Sequence, residues 1–173
     1  MIVAKHGDSS GGRVVDTDKG YAALVRNLDA LGKTGIAGTG PGVYVGIRAN
    51  AGNEPDGTPL VKIAAANEFG MIDGHIRERS FLRSTVDKRH PVYAAALVRI
   101  LDAATKAPDG LAALRLGLAR LGAVAVGDVQ RTMTDLDDPP NADETIRRKY
   151  GQDNPLIDTG RLRQSIDSEV RGV

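Results

Sequence analysis

Residues 155–166 read PLIDTGRLRQSI, and the Asp-Thr-Gly tripeptide at 158–160 is the spelling that retroviral-type aspartic peptidases use for their catalytic loop. That chemistry needs two aspartates facing each other and sharing a proton, each on a tight loop between strands. The chain after the glycine must then run extended into a sheet. Here residues 161–166 read as helix instead. With Asp158 as N-cap, Ile157 stands just before it and Leu162 at the fourth helical position, which is the spacing of a hydrophobic staple. Leu162 and Ile166 then share a buried face. The expectation is a structural cap made by Asp158, Ile157 and Leu162, with an acid-pH peptidase using Asp158 as the alternative.

Other possible sites fall short of their patterns. LGKT (31–34) resembles the end of a phosphate-binding loop, but the glycine required five residues before Gly32 is Asn27. The glycines of GIAGTGPG (35–42) precede a strand-like run instead of following one, and from Gly38 or Gly40 the last glycine of a dinucleotide fingerprint falls on Val43 or Val45. His6, His75 and His90 have no metal-ligand spacing. There is no cysteine, hence no disulfide, thiolate ligand or thiol nucleophile. No cofactor and no catalytic centre is expected. Net charge is +1, so bulk attraction to nucleic acid or to an anionic membrane is not indicated. No apolar run approaches membrane-spanning length.

The densest basic stretch is HIRERSFLRSTVDKRH (75–90), with Arg77, Arg79, Arg83, Lys88 and Arg89 against Glu78 and Asp87. Its plain reading is a solvated loop and helix start. A docking loop is the sharper one, because arginines around Phe81 and Leu82 match the composition of interface hot spots. A nucleic-acid groove ranks third, since acids are interspersed and aromatics number only 2 Phe, 4 Tyr and no Trp.

The elements that would carry these residues follow from periodicity. Tyr21, Leu24, Val25, Leu28 and Leu31 mark a helix from Asp18 that Gly32 ends. VYVGIRA (43–49) alternates as a half-buried strand, with Val43, Val45, Ile47 and Ala49 on one side and Tyr44, Gly46 and Arg48 on the other. Thr58 and Pro59 make an N-cap and N1 pair for a helix whose apolar face is Val61, Ala65 and Phe69, with Gly70 as its terminator. A second proline-started helix follows Pro91, carrying Tyr93, Leu97, Ile100, Leu101 and Ala104. A long helix then places Leu111, Leu114, Leu118, Leu121 and Ala125 at 3-4-3-4 spacing. Gly117, Gly122 and Gly127 inside it each cost about 1 kcal/mol relative to Ala and call for another backbone packed closely there. The fold class is α+β: a small, mainly antiparallel sheet packed with several helices, one of them long. Residues 1–17 read as a flexible arm and 18–173 as a single domain.

Three signals occur together: AAANEFG (64–70), IRERSFLR (76–83) and TIRRKYGQDNPLIDTGRLRQSI (145–166). Together they resemble the neck, or tail-completion, virion proteins of tailed bacteriophages. In that group a helix ending Glu-Phe-Gly precedes an Arg-x-Phe-Leu-Arg-type loop, and an Asp-Thr-Gly-x-Leu segment precedes the last strand. Here Arg77 and Ser80 stand where the family pattern has proline.

The resemblance implies a structural, non-enzymatic subunit of a homo-oligomeric ring, about six copies, joining head to tail. Its neighbours would be the head connector on one side and tail terminator or tube proteins on the other. It would be assembled in the host cytoplasm and found in the virion, with no membrane and no specific nucleic acid, though DNA would pass through the ring. A baseplate or tail-tube-associated protein is the second possibility. The expected contact residues are Glu68, Phe69, Arg77, Arg79, Phe81 and Arg83. Arg77 and Arg79 are expected to meet an acidic face such as DLDD (135–138) of the next copy.

Overall fold

The computed structural model describes residues 20–32, 40–72, 76–140, 146–147, 156 and 159–172. Among them the chain forms α1 (Tyr21–Gly32), β1 (Gly42–Ile47), α2 (Leu60–Phe69), α3 (Leu82–Lys106), α4 (Gly110–Asp135), α5 (Arg161–Gln164) and β2 (Ile166–Arg171). The class is α+β, with five helices against a two-stranded antiparallel sheet.

Two long helices make the frame. α3 and α4 form an antiparallel hairpin across residues 107–109, where the Asp109 carboxylate accepts from the Ala112 amide at 3.0 Å and starts α4. α3 begins at Leu82 and carries Pro91 inside it, so the expected proline start is corrected. A helix-interior proline costs about 3 kcal/mol. What offsets it is the anchoring of the first turns, where Phe81 and Thr85 are buried and the Thr85 hydroxyl lies 2.6 Å from that of Thr132 on α4.

Of the three glycines inside α4 that the sequence singles out, Gly117 and Gly122 are notches. A Cβ on Gly117 would lie 2.5 Å from Ile100 Cγ2 of α3, and one on Gly122 would lie 2.6 Å from Ser168 Oγ of β2. Both neighbours are side chains, not the backbone the sequence suggested. Gly127 has nothing within 4 Å among the described residues, so the expected close backbone is not found there among them.

The sheet lies on the Gly122 side of α4. β1 pairs with β2 from Gly42 opposite Arg171 to Ile47 opposite Ile166. Val45 and Ile47 turn to one core cluster with Leu60, Phe81, Val129, Met133 and Ile166, and Val43 turns to a second with Leu114 and Leu118. Tyr44 faces outward, with the Arg171 guanidinium 4.5 Å from its ring centre. Val43, Val45 and Ile47 turn inward as expected, but Gly46 is half-buried with them, the strand ends at Ile47 and Ala49 is exposed.

α5 is a single turn, and Ile166 already opens β2, so the helix expected over 161–166 is shortened. Gly160 is its N-cap residue, at φ +79°, and the Thr159 hydroxyl accepts from the Arg161 amide at 3.2 Å. Leu162 and Ile166 are both buried, but Ile166 as the first residue of β2, so they do not share a helix face. Asp158 and Ile157 lie outside the described residues, as do residues 1–17 and most of 143–151.

Candidate assembly interface

The contact residues expected from the sequence divide into an inner and an outer set. Glu68, at the end of α2, is buried. Its Oε2 accepts from the amides of Phe81 and Leu82, both at 2.9 Å, and its Oε1 from the Arg83 amide at 2.9 Å and the Ser80 hydroxyl at 2.8 Å. The orphan first-turn amides of α3 are thus satisfied by a carboxylate from another helix, which also suits the positive end of the helix dipole. Phe81 is 0% exposed and packs in the core. Both residues therefore hold the fold together, and the expectation of surface contacts at Glu68 and Phe81 is corrected.

Arg79 is half-buried, and its guanidinium donates to the carbonyls of Pro139 at 2.9 Å and Pro140 at 3.0 Å. Its expected meeting with 135–138 of another copy is replaced by a contact within the chain, to carbonyls just beyond that acidic run. Arg83 is exposed and pairs with Glu78; Arg77 is exposed. Gly70, at φ +70°, ends α2 and brings 76–78 close: a Cβ there would stand 3.0 Å from the Glu78 amide. The turn expected at Gly70 is present.

The apolar face of α2 is the reverse of the one periodicity suggested. Leu60, Ala64, Asn67 and Glu68 face inward, while Val61, Ala65 and Phe69 face out, Phe69 at 70% exposure. The helix starts one residue later than expected, with extended Pro59 as N-cap. Val61, Ala65, Phe69 and Val86 then edge an open groove of about 590 Å³ whose floor includes Val45 and Val129.

α1 shows a second inversion. Asn27 is its buried residue, 3% exposed, and its side chain hooks the α3–α4 turn. Nδ2 lies within reach of the carbonyls of Ala104 (3.3 Å), Thr105 (3.2 Å) and Ala107 (2.7 Å), and Oδ1 accepts from the Gly110 amide at 3.2 Å. Arg26 donates to the Pro108 carbonyl at 2.6 Å. Tyr21, Leu24, Val25 and Leu28 are left outside, Tyr21 at 74% exposure. Periodicity identified the helix but could not say that a polar hook would decide which side faces in.

A third apolar surface follows the hairpin, where Val92, Ala96, Leu116, Leu121 and Val124 line a shallow valley beside Arg99 and Arg120. Next to it Asp128, buried on α4, accepts from Arg89 Nε and the Tyr93 hydroxyl, each at 3.0 Å, and from Arg131 at 3.2 Å. Burial, and after it the bond to Asp128, push the Tyr93 phenol up to about 12. Sequence reading missed this cluster because its members lie on two helices 35 to 39 residues apart.

Among the described residues no group of three acids or histidines is placed to hold a metal ion. α4 is long and apolar enough to cross a membrane by length and composition, contrary to the sequence expectation; in the fold it is the helix on which α3 and both strands pack. No family model, no curated protein and no solved structure matches this chain.

Proposed function

We propose that this chain is a structural subunit that works by assembling with copies of itself, as a ring at the head–tail neck of a tailed-phage particle. The observation that carries the assembly reading is the placement of apolar side chains. Among the described residues seventeen large hydrophobics are exposed, while the buried core numbers twelve. Nine of them stand on α1, on the outer face of α2 and along the α3–α4 valley. Soluble monomers rarely leave apolar patches of that extent, and such patches mark surfaces for other proteins.

The neck position rests on the sequence resemblance. The Glu68 network supports it by giving two of the three motifs one physical cause. The acid of Glu-Phe-Gly caps the helix that the Phe-Leu-Arg segment opens, so the two signals belong to one structural unit.

Light scattering on the purified protein, followed by electron microscopy, tests the reading. Rings of about six copies, and density for the protein at the neck of particles, are expected. A stable monomer across the accessible concentration range would overturn it.

A further inference from the structure

We propose that the α3–α4 valley of one copy seats the acidic run DLDD (135–138) of the next, with Arg99 and Arg120 as its counter-charges. This rests on the assembly reading above and names the surfaces that make it.

The charges of the valley are unbalanced. Arg99 on α3 and Arg120 on α4 are exposed, line the same valley and, among the described residues, pair with no carboxylate. No acid lines the valley with them. Asp128, the acid next to it, is already taken up by Arg89, Tyr93 and Arg131. The other two apolar surfaces differ. Beside α1, Lys106 pairs with Asp102 and Arg26 is spent on the Pro108 carbonyl. In the groove between α2 and α3, Arg83 pairs with Glu78, and the exposed acid Asp87 would repel another acid. Among the described residues, the valley is thus the apolar surface whose lining cations are left for an incoming anion.

The complement stands where α4 ends. Asp135, Asp137 and Asp138 are exposed, and among the described residues none of their carboxylates has a hydrogen bond or ion pair. The run is fixed on both sides. The chain leaves the helix extended at Leu136, whose side chain packs against the main core cluster, and Arg79 holds the carbonyls of Pro139 and Pro140. Three unmatched acids are therefore presented on backbone that has little freedom left to lose on docking.

Dimensions agree with the charge. The valley runs from Val92 to Ala103 along α3, roughly 16 Å at 1.5 Å per residue. About five residues of extended chain, at roughly 3.3 Å each, cover that length. The two prolines after the run offer apolar rings to Val92, Leu116 and Val124, all exposed.

One chain cannot make this contact with itself. Asp135 and Arg120 lie on the same helix, fifteen residues or roughly 22 Å apart. Valley on valley across a twofold axis would set arginines against arginines, a costly juxtaposition. The occupant is the run of a second copy. Its two surfaces differ, so the contact is heterologous and closes as a ring or continues as a filament.

Exchange of charge tests the seat. An Arg99→Glu/Arg120→Glu protein and an Asp135→Lys/Asp137→Lys/Asp138→Lys protein should each lose association at concentrations where the unaltered protein is oligomeric. An equimolar mixture of the two should recover it, because each reversed surface then meets its opposite. All five positions are exposed, and far-ultraviolet circular dichroism checks the fold of each variant. Because the chain has no cysteine, single introduced thiols give a second readout. Leu116→Cys and Asp137→Cys proteins, mixed under mild oxidation, should form a covalent heterodimer. Asp137→Cys mixed with Val98→Cys, whose residue is exposed on α3 outside the valley, should not.

Oligomers that survive either reversal, or a loss that the mixture does not repair, overturn this contact and leave the assembly reading standing. An unaltered protein that is monomeric overturns both. Should a reversed protein fail to fold, the cross-link decides, and its absence overturns the contact.

Discussion

Replacing Glu68 with alanine removes the acceptor for three amides and a hydroxyl in one step, and the amide of Phe81 lies where water does not reach. Bonds to a charged group each contribute about 1.5–3 kcal/mol, and a stranded buried donor adds its own penalty. Glu68→Ala should therefore cost about 3 kcal/mol or more in a denaturant titration, with Glu68→Gln between it and the unaltered protein because the amide keeps one acceptor oxygen. A loss no larger than that of a surface substitution would contradict the cap. Tyr93 offers a second test. An unfolded tyrosine ionises near 10.0 and the folded one near about 12. Between those values the folded chain holds a proton that the unfolded chain has released, so stability falls as pH rises through that window. Asp128→Asn should bring the phenol part of the way back toward its ordinary range, as read by phenolate absorbance in an alkaline titration. The Gly70 turn could be read from the sequence because only glycine adopts its φ without strain. The roles of Glu68 and Phe81 could not, since composition alone does not distinguish a residue that meets a partner from one that caps and fills its own core.

The helices separate what periodicity can and cannot tell. The stripe on α4 is apolar and largely inward, with Leu114, Leu118 and Ala125 buried, because the strands and α3 all pack on it. The stripes on α1 and α2 are equally regular, yet they face out, because Asn27 and Glu68 make hydrogen bonds that dictate the docked side. The α4 glycines convert this into a stability test. Gly117→Ala drives a Cβ to 2.5 Å of a β-branched side chain and should destabilise by about 1–3 kcal/mol, as overpacking does. Gly127→Ala meets nothing among the described residues and should stabilise the folded chain by roughly 0.5–1 kcal/mol through helix propensity. Thermal melts of the two variants should move in opposite directions. At the sheet, the Ser168 amide, and then Arg48, hold the Asp167 carboxyl below its ordinary range. Its contribution is present above the unfolded value and lost as pH falls through the folded one. Asp167→Asn should accordingly flatten the acid limb of a stability-against-pH curve.

At the scale of the molecule, the α+β class and the strand were legible because alternation and helical period are local properties of the chain. The hairpin of two long helices was partly hidden by Pro91, which reads as a beginning and turns out to be an interior residue. The pairing of β1 with β2 had no local signature, as its partners lie up to 129 residues apart, from Gly42 to Arg171. That separation governs the order of events in time. The α3–α4 hairpin closes over a three-residue turn and should form early, whereas joining strands from opposite ends of the chain carries the entropy of a long loop. The expected path has a helical intermediate in which the Gly122 side of α4 still lacks its sheet. Tyr44, stacked against Arg171 only when the strands have met, is a built-in reporter of the late step. In stopped-flow refolding of a variant that keeps Tyr44 as its single tyrosine (Tyr21→Phe, Tyr93→Phe, Tyr150→Phe), far-ultraviolet ellipticity should recover before tyrosine fluorescence does, and a chaperone that binds apolar surface should slow the second phase more than the first.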